Sequence, residues 1–157
     1  MDRGTDVLFI CTGNTCRSPM AAALFNSWAG SGGPFARSAG IAAAEGMAAC
    51  DEAVQTMRDE FGIDISAHRT TRLTPEMLAG AGLIVVMTQA HRDWILAMAP
   101  EAAPRVHVIT EYGSGQAGGT SGIADPYGGD MAGYTAAARQ MVPHIRALLA
   151  YILSTSL

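Results

Sequence analysis

Residues 7–25, VLFICTGNTCRSPMAAALF, contain three patterns in direct succession. Residues 6–10 are apolar, short and followed by a turn, which is typical of a buried strand. A polar loop comes next, and residues 18–29 have the pattern of a helix, with Ser18 as a candidate cap and Pro19 suited to the first turn. A strand, a loop and a helix in this order predict an α/β fold.

The rest of the chain continues the alternation. Three further strands are predicted at 35–41, 83–88 and 105–110. Further helices are predicted at 47–61, 73–82, 89–98 and about 130–153. A glycine-rich loop is expected over 113–129, and Pro143 predicts a kink or a late restart in the last helix. We therefore expect residues 1–157 to form one domain, with a four-stranded parallel sheet covered by helices on both faces.

Composition and charge narrow the class of protein. The chain has 157 residues, 49% of them hydrophobic and 15% charged, which is typical of a compact globular domain. Its net charge of -4 argues against nucleic-acid binding, which usually needs a basic face. The sequence shows neither a signal-peptide pattern nor an apolar run near the ~18 residues of a membrane span, so no membrane association is expected. Three cysteines, an odd number, favour a reducing cytoplasm over a disulfide scaffold, and a monomer or weak dimer is expected.

The loop after the first strand, CTGNTCRS, has the features of a phosphate site. Five residues separate Cys11 from Arg17, Gly13 can adopt positive φ, and Asn14 tolerates the left-handed region. Such a loop can turn successive N–H groups inward around a tetrahedral oxyanion at a helix N-terminus, and Arg17 can clamp two phosphoryl oxygens. The same positive field stabilises a thiolate at Cys11, to which Ser18 can donate a hydrogen bond. The loop therefore predicts a phosphate-binding site with a nucleophilic sulfur beneath the phosphorus.

The stretch ADPYGG at 124–129 supplies a candidate acid. A cysteine nucleophile must expel a leaving group, and an acid helps by protonating it. Pro126 biases Asp125 toward an extended backbone, and Tyr127 follows as an aromatic residue among glycines. Asp125 is predicted to act first as general acid and then as base for the water that cleaves a phosphocysteine.

Other uses of this loop fit the sequence less well. A nucleotide-binding loop needs GxxxxGK[ST], which the chain lacks. A metal site needs more ligands than two cysteines without a second pair, and the four histidines lie in no arrangement typical of a cysteine protease. We therefore expect neither a metal nor a cofactor.

VLFICTGNTCRSPMA, together with the late DPYGG, resembles the low-molecular-weight protein tyrosine phosphatases. The resemblance implies a four-stranded parallel sheet flanked by helices and phosphorylated proteins as substrates. It makes Cys11 the nucleophile, Arg17 the phosphate clamp and Asp125 the acid and base. Asn14 would hold the strained loop by hydrogen bonds, and Ser18 would steady the leaving thiolate.

Further site residues follow from the same resemblance. The positions that it places around the phosphate and its substrate are Thr12, Gly13, Asn14, Thr15, Cys16, Ser18 and Tyr127. Ser38 in RSAG and His68 in SAHRTTRL resemble supporting positions near Asn14, although His68 can also be a packing histidine.

Thr15 bears on the substrate. Bacterial protein-arginine phosphatases of this family carry threonine at that position, in CTGNTCRS, whereas members acting on phosphotyrosine more often carry an aliphatic residue. A β-branched hydroxyl narrows the slot and can hydrogen-bond a guanidinium, while an aliphatic wall suits an aromatic ring. Phosphoarginine is therefore the favoured substrate and phosphotyrosine the alternative.

Two further functions fit the sequence less well. A thioredoxin-coupled arsenate reductase would need relay cysteines, but residues 80–100 contain none and Cys50 is expected to be isolated in a helix core. A phospho-binding module without activity would not need Asp125.

Cys16 suggests redox regulation. Because it lies in the same loop as Cys11, it can trap a sulfenic acid on Cys11 as a disulfide. The alternative is that Cys16 is a small buried filler of the core.

Overall fold

The computed structural model describes residues 6–113 and 121–155. Within them the strands are Asp6–Cys11 (β1), Phe35–Gly40 (β2), Leu83–Val86 (β3) and Val106–Val108 (β4). The α-helices are Arg17–Ala29 (α1), Asp51–Phe61 (α2), Pro75–Gly80 (α3), Gln89–Met98 (α4) and Met131–Thr155 (α5). Short 3-10 helices, Pro100–Arg105 and Ile109–Glu111, flank β4.

The strands form one sheet in the order β2-β1-β3-β4, and every neighbouring pair is parallel. β1 is paired on both sides, and its last residue, Cys11, lies opposite Gly40 of β2. Because the strands are parallel, the loops that follow β1 and β3 meet at one edge of the sheet. The predicted fold, a four-stranded parallel sheet with helices on both faces, is confirmed.

Each face of the sheet has its own hydrophobic core. Val7 and Phe9 of β1 contribute to the core that packs against α1, α2 and α5, while Leu8 and Ile10 contribute to the core on the α3 and α4 side. This division follows from the two-residue period of a strand. The rings of Phe9 and Phe25 meet edge to face at 6.0 Å and join β1 to α1, the two elements on either side of the polar loop.

Two local predictions are wrong, and a third is narrowed. α2 begins at Asp51 rather than at residue 47, because Cys50 has extended φ and ψ of -63° and 152° and is the N-cap. α1 begins at Arg17 with Cys16 as N-cap, so Ser18 is not the cap and its hydroxyl is free for other partners. α5 runs without a break through Pro143, so the predicted alternative of a late restart does not occur, and buried Met141 and Ile145 hold both sides of the proline against the core.

Residues 114–120 of the predicted glycine-rich loop lie outside the described residues. Among the helices that are described, none combines the length and the apolar character needed to cross a membrane.

Candidate active site

The loop between β1 and α1 turns at Asn14. Asn14 is the one non-glycine residue with positive φ in the described chain, at 59°, whereas Gly13 is not among the glycines with positive φ. The left-handed conformation expected for this loop therefore falls on Asn14, and asparagine adopts it more readily than most residues. The turn brings the Asn14 N–H to 3.3 Å from the Cys11 sulfur.

Hydrogen bonds to the Asn14 side chain hold this conformation. Nδ2 donates to Ser18 Oγ at 2.8 Å and to Ser38 Oγ at 2.9 Å, and Oδ1 accepts from the Thr71 N–H at 2.8 Å. The residue is fully buried, so each of these bonds replaces one to water. Three separate segments of the chain thus hold one strained residue.

His68 also holds Asn14 in place, by a hydrogen bond to the Asn14 backbone. The carbonyl oxygen of Asn14 lies 2.8 Å from His68 Nε2, and because a carbonyl only accepts, Nε2 carries the proton. Burial lowers the pKa of His68, and the bond to Asn14 opposes that shift. Both residues predicted as supporting positions, Ser38 and His68, therefore contact Asn14.

The sulfur of Cys11 contacts two polar groups. It lies 2.9 Å from Ser18 Oγ, where either atom can be the donor, and that oxygen also accepts from Asn14 Nδ2. The other group is the Asn14 N–H, which donates to the sulfur at 3.3 Å. Both contacts lie at the start of α1, where the helix dipole adds positive potential.

Arg17 is buried with part of its hydrogen-bonding capacity unused. Nη1 donates to the Ile123 carbonyl at 3.0 Å, and Nη2 lies 3.5 Å from Asp125 Oδ2. Nε is buried and has no partner among residues 6–113 and 121–155. A buried guanidinium N–H without a partner is costly, so this group is suited to bind an anion that enters the cleft.

These groups line a cleft of about 330 Å³. Its lining consists of Cys11, Thr12, Gly13, Thr15, Cys16, Arg17, Met47, Asp125 and Tyr127. Asn14 and Ser18, the other two loop residues predicted for the site, lie buried behind it. The Asp125 side chain is half exposed at the rim, and its Oδ1 accepts from the Tyr127 N–H at 3.0 Å, while the Tyr127 side chain is 73% exposed.

His91 is a site residue that sequence reasoning missed. Its Nδ1 lies 3.2 Å from the Thr88 N–H, which only donates, so Nδ1 is unprotonated and the proton is on Nε2. Nε2 therefore donates to Thr12 Oγ1 at 2.9 Å. Burial, and next the charge of Arg17, lower the pKa of His91 to about 4, while Asp125 opposes the shift. His91 is thus a neutral donor beside the loop.

Two more residues were missed. Met47 was assigned to a helix, but it precedes α2, lines the cleft and is 55% exposed. Gly40 faces the back of the loop, where a Cβ atom would lie 2.6 Å from the Thr12 carbonyl oxygen and 2.9 Å from the Asn14 nitrogen. In the sequence, Gly40 was marked only by its place near the end of the second predicted strand. In the sheet it lies opposite Cys11.

Cys50 is also placed differently from expectation. It was expected to be an isolated helix core residue, but its sulfur lies 3.1 Å from that of Cys16. The reason is the later start of α2, which leaves Cys50 at the helix N-cap, where its N–H donates to the Thr15 carbonyl at 3.1 Å. All three cysteines are free thiols. In the part of the chain that the structure describes, no group of three His, Cys, Asp or Glu side chains could hold a metal ion.

Comparison with known proteins agrees with this geometry. The sequence model of the low molecular weight phosphotyrosine protein phosphatases matches residues 6–155. The chain belongs to this family. It is therefore a phosphatase.

Relatives within the family are named either as protein-arginine phosphatases or as protein-tyrosine phosphatases. The protein-arginine-phosphatase of Geobacillus stearothermophilus is 41% identical over 131 residues, which are 83% of this chain and 84% of that protein. The solved structure of the YwlE arginine phosphatase from the same organism superposes with a TM-score of 0.85 at 37% identity, covering 95% of this chain and 93% of the other. A probable low molecular weight protein-tyrosine-phosphatase, EpsP of Ralstonia nicotianae, is 36% identical over 149 residues, 90% of this chain and 97% of that protein.

Proposed function

We propose that this phosphatase hydrolyses phosphoarginine in proteins through a phosphocysteine intermediate on Cys11. The observation that carries the proposal is the pairing of two groups in one cleft. The Cys11 sulfur is hydrogen-bonded to Ser18 Oγ and to the Asn14 N–H at the base, and the buried Arg17 guanidinium beside it has an Nε without a partner in the described chain. A nucleophile next to an anion clamp is the arrangement that phosphoryl transfer requires.

The first step forms the intermediate. The phosphoryl oxygens accept hydrogen bonds from the loop N–H groups and from Arg17, and the Cys11 thiolate attacks phosphorus. The bond from phosphorus to the leaving nitrogen breaks as the S–P bond forms, and Asp125 gives that nitrogen a proton. Asp125 is suited to this because its half-exposed side chain lies at the rim of the cleft, above the phosphate-binding loop, where it can reach the leaving nitrogen.

The second step restores the enzyme. Asp125, now ionised, takes a proton from a water molecule whose oxygen attacks phosphorus. The S–P bond breaks, phosphate leaves, and the Ser18 hydroxyl stabilises the sulfur charge that returns to Cys11.

Phosphoarginine is favoured by Thr15 and by the relatives named arginine phosphatases. The Thr15 side chain lines the cleft, with Oγ1 3.5 Å from the Cys16 sulfur, and it is partly buried. Its hydroxyl offers a hydrogen bond to a guanidinium, and its branched Cβ narrows the slot against a flat ring.

Phosphotyrosine is the second candidate because of the cleft rim. Tyr127 and Met47 line the cleft and are 73% and 55% exposed, so both can pack against an aromatic ring. Relatives named tyrosine phosphatases match the chain over a similar length.

The two candidates are separated by the kcat/KM values for matched phosphoarginine and phosphotyrosine peptides. We expect the wild type to prefer phosphoarginine, and Thr15→Ile to lower kcat/KM for phosphoarginine more than for phosphotyrosine. Thr15→Ser, which keeps the hydroxyl, is the matched control and should keep the preference. If Thr15→Ile leaves the ratio of the two values unchanged, Thr15 does not set the substrate.

The comparison of the two peptides does not test the expected location, oligomeric state or independence from metal. A cytoplasmic location and a monomeric or weakly dimeric state stay predictions from composition. Activity in the presence of a chelator is the direct check on the expectation that no metal takes part.

A further inference from the structure

Cys16 and Cys50 form a pair of thiols that the proposed phosphatase reaction does not use. Their sulfurs lie 3.1 Å apart, and the Cys50 N–H donates to the carbonyl of Thr15, the residue before Cys16, at 3.1 Å. A disulfide needs an S–S distance of about 2.05 Å, so the two sulfurs need to approach by only about 1 Å. The backbone bond already holds the two segments side by side.

The two thiols differ in environment. Cys50 is half-buried at the N-cap of α2, whereas the side chain of Cys16 is buried beneath the loop. The hydrogen bond from Cys16, supported by the N–H of Ala53, lowers the pKa of Cys50 to about 6. The same bond and burial raise the pKa of Cys16. Either sulfur can be the donor in their contact, and the lowered pKa of Cys50 favours its thiolate, which is the form that reacts with peroxides.

We propose that Cys16 and Cys50 are a site of oxidative modification, at which hydrogen peroxide closes a Cys16–Cys50 disulfide and leaves Cys11 as a free thiol. The Cys50 thiolate attacks one peroxide oxygen, the O–O bond breaks, and Cys50 becomes a sulfenic acid as hydroxide leaves. The Cys16 sulfur then attacks the Cys50 sulfur, the S–O bond breaks, and the Cys16 proton leaves with the hydroxyl as water. The two sulfurs together lose two electrons, which peroxide takes up.

This bond competes with the Cys11–Cys16 bridge predicted from the sequence. Cys16 can form only one disulfide, and its sulfur already contacts that of Cys50. The sulfur of Cys11 is instead engaged by Ser18 and the Asn14 N–H. A Cys16–Cys50 disulfide therefore leaves Cys16 unable to form a disulfide with Cys11.

Peptide mapping of the full chain distinguishes the two bonds. Reduced protein is freed of reductant, treated with hydrogen peroxide, unfolded, alkylated and digested with trypsin without reduction. Cys11 and Cys16 share the tryptic peptide 4–17, and Cys50 lies in peptide 38–58. We expect the two peptides to be joined, with Cys11 alkylated. The joined pair should persist in Cys11→Ser and disappear completely in Cys50→Ser and in Cys16→Ser.

Two results would overturn the proposal. One is a wild-type peptide 4–17 that is lighter by two hydrogens while Cys50 is alkylated, since this places the bond between Cys11 and Cys16. The other is a joined pair that disappears in Cys11→Ser, since this places the bond between Cys11 and Cys50.

The second measurement is phosphatase activity after peroxide treatment. The activity of each variant is divided by its own activity before treatment. Cys50→Ser should lose activity faster than the wild type, and equal rates would show that Cys11 is not spared.

Discussion

The Nε2 atom of His91 donates to the Oγ1 atom of Thr12 across 2.9 Å, and this bond joins the N-terminal turn of α4 to the phosphate loop. The Thr88 N–H fixes the tautomer by donating to Nδ1. Because Thr12 Oγ1 accepts from His91, its own proton is free to point elsewhere. Thr12 is exposed and lines the cleft, so that proton is available to a substrate oxygen.

His91→Phe should therefore weaken catalysis without changing the fold. Loss of one hydrogen bond that orients Thr12 is worth about 1 kcal/mol, or roughly fivefold in kcat/KM. His91→Gln is the matched control, because an amide N–H can replace Nε2–H, and it should recover most of the activity. Steady-state kinetics on a phosphoarginine peptide provide the measurement. Equal losses in the two variants would show that the role of His91 is packing alone.

The lowered pKa of His91 also predicts how stability depends on pH. The unfolded chain binds a proton at a pKa near 6.5, and the folded chain only near 4. Between these values the unfolded state holds more protons, so the free energy of unfolding rises with pH and is lost as the pH falls from 6.5 toward 4. The His91 contribution between pH 7 and pH 5 is about 2 kcal/mol.

Urea unfolding at the two pH values measures this difference. The pKa of His68 is also lowered, so it adds a change of the same sign. His91→Gln removes only the His91 part, and its stability should fall less between pH 7 and pH 5 than that of the wild type. An identical fall in both proteins would refute a buried neutral His91.

Asp125→Asn tests the acid and base. Asparagine keeps the shape of the side chain and can neither give nor take the proton, so kcat should fall by about 10² or more. Asp130→Asn is the matched control, because Asp130 accepts from the Gly133 N–H at the start of α5 and does not line the cleft. Rapid-quench kinetics with mass spectrometry of Cys11 report both steps. Wild-type rates in Asp125→Asn would assign the proton transfer to another group.

How far the sequence predicts this site depends on whether its parts are local. The strand, loop and helix of residues 6–29 are contiguous, so apolar pattern and spacing alone indicated where Cys11 and Arg17 would lie. Asp125 was found because the chemistry demands an acid and because an Asp-Pro pair is easily recognised. In the structure it lies 3.5 Å from Arg17.

What the sequence did not predict depends on tertiary contacts. Cys16 and Cys50 are 34 positions apart, and Thr12 and His91 are 79 apart, so no local period relates them. The pattern that suggested a helix from residue 47 continued across Cys50, although the chain there is extended. Such boundaries are set by packing against other segments, which outweighs local preference.

Gly40 gives a test of the contact behind the phosphate loop. A Cβ atom at Gly40 would lie 2.6 Å from the Thr12 carbonyl oxygen and 2.9 Å from the Asn14 nitrogen, and both are backbone atoms that cannot rotate away. Gly40→Ala should therefore push the loop forward, lower the free energy of unfolding by about 1–3 kcal/mol and reduce kcat/KM. Gly80→Ala is the matched control, because a Cβ there meets nothing within 4 Å and the residue lies in α3. Urea unfolding and kinetics on both variants make the comparison, and a Gly40→Ala protein as stable and active as Gly80→Ala would mean that the loop does not depend on this close approach.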